Sequence, residues 1–274
     1  MTGFWLGPKA SARGYRLNGY DTVGSTSNEA ARAGQAGDVG DVWFVALKQT
    51  EGRGRRGRAW ETAHGNLAAS LLVVPDADPA ITATLGFVAG VALNRALCDV
   101  LPQVATPIGP DGANAGNARI ALKWPNDVLA DGAKLAGILL EAHKLPSGKM
   151  AIVIGFGVNV VAAPVGLPYP ATSVAELGAD VSAETIFAAL ADCWVDCFEV
   201  WNNGRGVAEI LELWRRSAAG IGAEVAVSRD GDVIRGIFET IDEAGRLIVR
   251  ANDNQRIAIT AGDVHFGAAA SILK

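Results

Sequence analysis

The hydrophobic pattern changes character near Gly220-Ile221-Gly222, and that change limits the folds open to this chain. Before it, two long stretches repeat apolar residues at helical spacing. Ile81, Leu85, Val88, Ala92, Leu93 and Leu97 predict a helix over 79–101. Ile186, Leu190, Trp194, Cys197, Phe198 and Trp201 predict a second over 183–201, and a third is expected over 207–217. Between them lie short apolar runs bounded by turn residues, at 42–47, 66–74, 120–124, 138–142 and 150–154. Runs of that length fit buried strands. After the boundary only short strands remain, at 225–227, 233–238, 246–249 and 257–259, with turns at Asp230-Gly231 and Ala244-Gly245. Such a tail reads as a small antiparallel barrel. The expected architecture is α+β: a mixed β-sheet flanked by helices over 1–220, then a small β-barrel over 221–274.

Local signals agree with this layout. Ser25, Thr26 and Ser27 precede an alanine-rich segment and are suitable N-caps for a helix. Asp131-Gly132 sits between two apolar runs and predicts a tight hairpin. The stretch 103–117 is rich in Pro, Gly and Asn and reads as an insertion of unassigned role.

The segment 52–58 packs four arginines and three glycines into seven residues, in a chain of net charge −5. Glycine lets backbone approach a ligand closely, and successive N–H groups can cradle anionic oxygens. Arginine adds planar, permanently charged donors. This loop therefore points to an activated phosphate or acyl phosphate. Nucleic acid is the competing ligand, but it usually recruits many dispersed basic residues, and the acidic balance disfavours it. Gly52, Gly54 and Gly57 also satisfy the G-x-G-x-x-G pattern. That fingerprint requires a helix directly afterwards, and 58–66 is polar and broken by Gly65. No Gly-Lys-Ser/Thr closes a phosphate loop of the Walker type.

Other classes are disfavoured. No apolar run reaches the roughly 18 residues of a membrane span, and the start lacks the pattern of a signal peptide. The expectation is a cytoplasmic protein without membrane association. Three cysteines make no disulfide framework. Cys193 and Cys197 share a helical face, where core packing is the expected role rather than zinc.

A second cluster is Lys123-Trp124-Pro125-Asn126-Asp127, followed eleven residues after Lys123 by Lys134-Leu135-Ala136-Gly137. Two lysines, an amide and a carboxylate at strand ends can offset phosphate charge, and Asp with Asn can hold Mg²⁺. Solvated hairpin ends are the plainer reading of the same residues. A third element is Gly155-Phe156-Gly157-Val158-Asn159.

Taken together, these three elements resemble the biotin protein ligases (biotin–[acetyl-CoA-carboxylase] ligases), in motifs from Ser25 to Asn159 and in layout to the C-terminus. The resemblance implies a sheet like that of class II aminoacyl-tRNA synthetases and an SH3-like C-terminal barrel. It implies a two-step reaction: biotin and ATP give biotinyl-5′-AMP, and a lysine of a biotin carboxyl carrier protein then takes the biotin. By resemblance Ser25, Thr26, Ser27, Gln49, Arg53, Gly54, Arg55, Lys134 and Gly137 contact biotin or its adenylate. Lys134 and Arg55 act at the reacting centre, and Arg55 also hinders escape of the adenylate. Gly57, Arg58, Lys123, Asn126, Asp127 and Asn159 face ATP, with Asp127 and Asn159 as Mg²⁺ ligands. The loop is expected to be mobile when empty and ordered by the adenylate.

This sequence departs from the family pattern at Ser27 (commonly Asn), Glu51 (commonly small) and Ala63-His64 (often Ser-Pro). Related lipoate ligases lack the Lys-Trp-Pro-Asn-Asp element, so a ligase for another carboxylic acid such as lipoate is the first alternative. A non-catalytic biotin or nucleotide sensor is the second. Only about two dozen residues precede Ser25, too few for a DNA-binding domain, so specific DNA binding is not expected. Monomer and homodimer remain equally open, as does the identity of the modified carboxylase.

Overall fold

The computed structural model describes residues 3–105, 119–229 and 232–266. In chain order the elements are α1 (Pro8–Ala12), β1 (Arg16–Val23), α2 (Thr26–Gln35), β2 (Val42–Gln49), β3 (Leu67–Val73), α3 (Pro79–Thr82), α4 (Leu85–Val100), α5 (Pro102–Ala105), β4 (Ile120–Lys123), β5 (Asp127–Ala130), β6 (Ala133–Lys144) and β7 (Met150–Val158). They continue with α6 (Ala183–Trp201), α7 (Val207–Arg216), β8 (Glu224–Arg229), β9 (Asp232–Ile241), β10 (Leu247–Arg250), β11 (Arg256–Ile259) and β12 (Asp263–Phe266).

A seven-stranded sheet runs in the order β1-β2-β3-β7-β6-β5-β4. β1 and β2 are parallel and every other pair is antiparallel, so the sheet is mixed. The central strands are covered on both faces, which is why they read as unbroken apolar runs rather than alternation. Trp43, Val45, Leu71 and Ile154 point to the face packed by α4, α6 and α7. Phe44, Leu72 and Val153 point to the face carrying α2. The remaining strands form a five-stranded antiparallel sheet, β11-β10-β9-β8-β12, the SH3-like barrel of the C-terminal region.

One cap and one turn match the sequence signals. Ser25 Oγ accepts from Asn28 N (3.4 Å) at the start of α2. Asp131 and Gly132 take φ values of 49° and 81°, the left-handed pair that a two-residue hairpin needs. The predicted 79–101 helix is instead two pieces, α3 and α4. Thr82 and Thr84 donate their hydroxyls to the Pro79 and Ile81 carbonyls (2.9 and 2.6 Å), and Trp201 Nε1 donates to Thr84 Oγ1 (2.8 Å). Side chains thus compete with the backbone ladder and bend it. The stretch Pro79–Val100 is also apolar and long enough to cross a membrane by composition. Its apolar character is accounted for by burial, since Leu85, Val88, Leu93 and Leu97 lie in the core.

β1, α1 and β12 have no counterpart among the predicted elements. The predicted turn at 230–231 and residues 106–117 of the insertion lie outside the described residues. Cys197 packs in the core, and burial pushes the Cys193 and Cys197 thiols up to about 12 and about 11.

The barrel is fastened to the sheet at defined points. Trp124, buried in the β4–β5 turn, donates its indole N–H to Gly245 O (2.9 Å) in the β9–β10 turn. Gly245 has φ 73°, and a Cβ there would lie 2.3 Å from the Phe87 ring of α4. Arg215 of α7 donates through Nε and Nη2 to Ile241 O (3.1 and 3.0 Å).

Candidate active site

A cavity of about 520 Å³ opens on the α2 face of the sheet, between the arginine loop and the barrel. Its floor is built from small residues. Gly137 of β6 pairs directly with Gly157 of β7. The Trp60 indole lies on both: a Cβ on Gly157 would sit 2.3 Å from the ring, and one on Gly137 3.1 Å. Gly155 lies beneath Ser27 Oγ, which a Cβ there would approach to 3.1 Å.

At one end the N-terminus of α2 brings hydroxyls together over β3. Thr26 Oγ1 and Ser27 Oγ share hydrogen bonds with Ser70 Oγ (2.8 and 3.0 Å). Gln49 Oε1 accepts from Thr26 N and Thr26 Oγ1 (2.8 and 3.0 Å). Ser25 and Thr26 are each 2% exposed. This is a compact polar pocket in apolar surroundings.

Lys134 occupies the middle. Nζ pairs with Asp127 Oδ1 at 2.7 Å, both side chains being under one-fifth exposed. It also stands over the Trp60 and Tyr169 rings, 5.4 and 5.6 Å from their centroids. Lys134 and Gly137 are three apart on one strand and would normally face opposite sides. A register shift between Val128 and Leu129 places one extra β6 residue in between, and both then line the cavity.

The far end is cationic. Lys123 and Asp127 are cross-strand partners, with Trp124-Pro125-Asn126 as the turn between them. Burial depresses the Lys123 pKa, opposed by nearby Asp127. Asn126 is held by its own amide, which donates to Ile138 O (2.6 Å).

The arginine loop folds back on itself over this end. Gly54 N donates to Arg58 O (2.8 Å), and Trp60 N to Gly52 O (2.9 Å). Arg53 reaches Asn28 Oδ1 (2.6 Å). Arg55 Nη1 donates to Asn126 Oδ1 (3.1 Å). Burial lowers the Arg55 pKa, with Asp263 acting in the opposite direction. Arg56 and Arg58 pair with Asp263 of the barrel at 3.2 and 2.8 Å.

Ser25, Thr26, Ser27, Gln49, Arg53, Gly54, Arg55, Lys134 and Gly137 all line this one cavity, as do Arg58, Lys123, Asn126 and Asp127. Two expected residues do not. Gly57, at φ 71°, forms the loop tip, where a left-handed turn is needed, and does not face the cavity. Asn159 is 1% exposed and donates to Thr172 O (3.0 Å) and Lys134 O (3.5 Å), so it braces the backbone behind Lys134. Of the expected Mg²⁺ pair, Asp127 Oδ1 is engaged by Lys134, and Asn159 gives its Nδ2 to carbonyls while its Oδ1 is buried without a partner. Among the described residues no cluster of three His, Cys, Asp or Glu could hold a metal.

Sequence reasoning missed several lining residues. Ser70, Tyr169 and the β12 pair Asp263 and His265 come from three separate segments and carry no motif. Of the departures, Ser27 joins the hydroxyl cluster and His64 pairs with Asp21 (2.9 Å). Glu51 is exposed.

Known proteins resemble the chain in both its parts. Residues 36–159 match the biotin/lipoate A/B protein ligase family, and residues 220–267 match the biotin protein ligase C-terminal domain. A biotin–[acetyl-CoA-carboxylase] ligase of Paracoccus denitrificans is 37% identical over 233 residues, covering 82% of this chain and 90% of the relative. One of Mycobacterium tuberculosis is 35% identical over 249 residues, covering 88% and 85%. Among solved structures, biotin protein ligase from Aquifex aeolicus, in complex with biotin and ATP, superposes with a TM-score of 0.73 at 22% identity, covering 92% of this chain and 99% of that one. The chain belongs to the biotin protein ligases of this family.

Proposed function

We propose that this chain is an ATP-dependent biotin protein ligase that makes biotinyl-5′-AMP and passes biotin to a lysine of a biotin carboxyl carrier protein. The carrying observation is the placement of Lys134 at the centre of one cavity, between the hydroxyl pocket and the arginine loop. Joining a carboxylate to a triphosphate requires two anions to meet, and fixed cations in a water-poor site lower that barrier. The Thr26, Ser27, Gln49 and Ser70 cluster takes the ureido ring, whose carbonyl and two N–H groups match its donors and acceptors. The Gly137 and Gly157 floor with Trp60 takes the apolar body of biotin. Lys134 then stands at the carboxylate and the α-phosphate. Lys123, Asn126, Asp127 and Arg58 lie where the nucleotide phosphates go, and Arg55 closes over the adenylate. Magnesium would be held mainly by the nucleotide phosphates and would offset their charge. Its need for ATP and a carrier protein supports a cytoplasmic location.

Lipoate fits the same cavity less well. A dithiolane ring offers no hydrogen bonds, so it would cover the polar cluster without using the donor and acceptor capacity left over from the cluster's internal bonds, a basis for rejection. The test is a substrate panel: the protein, Mg-ATP and an apo carrier domain are mixed with biotin or with lipoate. Mass spectrometry should find a single biotinyl adduct and no lipoyl adduct. Equal or preferential lipoylation would refute the assignment.

Arg55→Gly should release biotinyl-AMP about 10- to 100-fold faster, the range expected for losing a charge-assisted hydrogen bond. Free adenylate would then label bystander lysines, which streptavidin blotting of a mixed-protein reaction can detect. Labelling confined to the carrier would remove the retention role from Arg55.

A further inference from the structure

Asp263 lies far from the motifs in sequence, at the start of β12 in the barrel, yet it meets three arginines of the loop. Arg58 Nη2 stands 2.8 Å from Oδ2, Arg56 Nη1 3.2 Å from Oδ2, and Arg55 Nη1 4.0 Å from Oδ1. Arg55 also donates to the neighbouring Gly262 O at 3.5 Å. The carboxylate is only 27% exposed. Burial acts to raise its pKa, but the hydrogen bond from Arg58 and the charges of Arg58, Arg56 and Arg55 outweigh this, so it stays ionised well below neutral pH.

The support behind Asp263 is stiff. Gly262 lies so close to β8 that a Cβ would come within 2.6 Å of the Val227 side chain. Asp263 itself pairs with Ser228 in the β12–β8 ladder. The barrel is in turn fixed to the catalytic sheet through Trp124 and Gly245. The loop, by contrast, has few apolar contacts of its own. Arg56 and Arg58 are exposed, and the loop's internal bonds are backbone pairs, Trp60 N to Gly52 O and Gly54 N to Arg58 O toward its base and Arg58 N to Arg55 O at its tip. A segment with so little burial opens readily unless something outside it holds it.

We propose that Asp263 is a positioning residue by which the barrel latches the arginine loop over the cavity and so retains the adenylate. This deepens the ligase reading and rests on it for the adenylate. It gives the C-terminal barrel a definite part in the reaction: one carboxylate on a rigid strand gathers guanidinium groups that would otherwise repel one another. Arg56 and Arg58 carry the latch, and Arg55 is thereby aimed at Asn126 and the cavity.

The loop contains its own reporter, because trypsin cuts after Arg53, Arg55, Arg56 and Arg58. In Asp263→Asn, limited trypsin digestion of the full chain should cut within 53–58 about fivefold faster, the factor corresponding to loss of one ion-pair contribution of roughly 1 kcal/mol. Cutting elsewhere should be unchanged. Biotinyl-AMP formed on the variant should escape faster by a similar factor. Arg56→Gln alters a residue outside the cavity and removes one cut site; followed at the remaining sites, Arg53, Arg55 and Arg58, its effect should be smaller and in the same direction. Combined with Asp263→Asn it should add nothing, since the pair acts as a unit. Asp263→Glu keeps the charge and should restore most of the protection. Wild-type rates of loop cleavage in Asp263→Asn would overturn the proposal. So would full additivity with Arg56→Gln, or a rise in cleavage across the barrel equal to that in the loop. If wild-type protein makes no biotinyl-AMP, the ligase reading fails, while the trypsin measurements still decide the latch.

Discussion

Lys134→Ala should slow formation of biotinyl-AMP by about 10²- to 10³-fold, the usual loss when one preorganised charge is removed from a reacting centre. Its ammonium group is held by Asp127 at 2.7 Å and flanked by two aromatic rings, so little reorganisation is needed to meet an anion. Single-turnover release of pyrophosphate measures the step directly. Biotin binding by calorimetry should fall much less, because the hydroxyl cluster is untouched. The substitution also leaves the largely buried Asp127 without its partner, which destabilises the fold. A thermal melt run alongside separates that from the chemical effect. Near-normal pyrophosphate release in a folded variant would remove Lys134 from the reacting centre.

The second large effect is on stability. Trp124→Ala should destabilise the protein by about 3–5 kcal/mol, the range for truncating a buried aromatic side chain. Trp124 is 2% exposed and bridges the two sheets. Its loss opens a cavity where the β4–β5 turn, α4 and the barrel meet. Trp124→Phe keeps most of the volume but orphans the Gly245 carbonyl, and should cost about 1–3 kcal/mol. Urea titration followed by tryptophan fluorescence measures both. The two variants should also differ in cooperativity if the barrel separates first: Trp124→Ala would show a barrel transition ahead of the catalytic sheet. Equal, small losses in the two variants would mean that the indole does not join the domains.

Much of this was legible in the sequence, for identifiable reasons. The 183–201 helix is readable because its stripe of Ile186, Leu190, Trp194 and Cys197 is uninterrupted, and the helix spans Ala183–Trp201 as expected. The 79–101 helix is misread because the pattern is blind to the Thr82 and Thr84 hydroxyls, which share the Pro79 and Ile81 carbonyls with the backbone. β1 escapes because Asn18, Asp21 and Thr22 stand on its exposed positions, and only Leu17, Tyr20 and Val23 are partly covered. At the site, the arginines, Lys134 and the hydroxyls of α2 stand out since their chemistry is concentrated in short motifs. Asn159 stands out as an amide after a glycine-rich strand end, but its burial behind Lys134, with Nδ2 on the Thr172 carbonyl, is a tertiary fact. Asp263 and the β5–β6 register shift are tertiary facts. A single carboxylate in a barrel strand has no signature, and a shift in pairing cannot be seen in one strand alone.

The most direct measurement is to incubate the protein with biotin and Mg-ATP without any carrier, pass it through a desalting column, and identify the retained small molecule by mass spectrometry. The account predicts biotinyl-5′-AMP at close to one equivalent per chain, and almost none with Lys134→Ala. Protein that emerges with no adenylate, or that retains it equally well without Lys134, would contradict the claim that these cations together bring a carboxylate and a nucleotide into reaction.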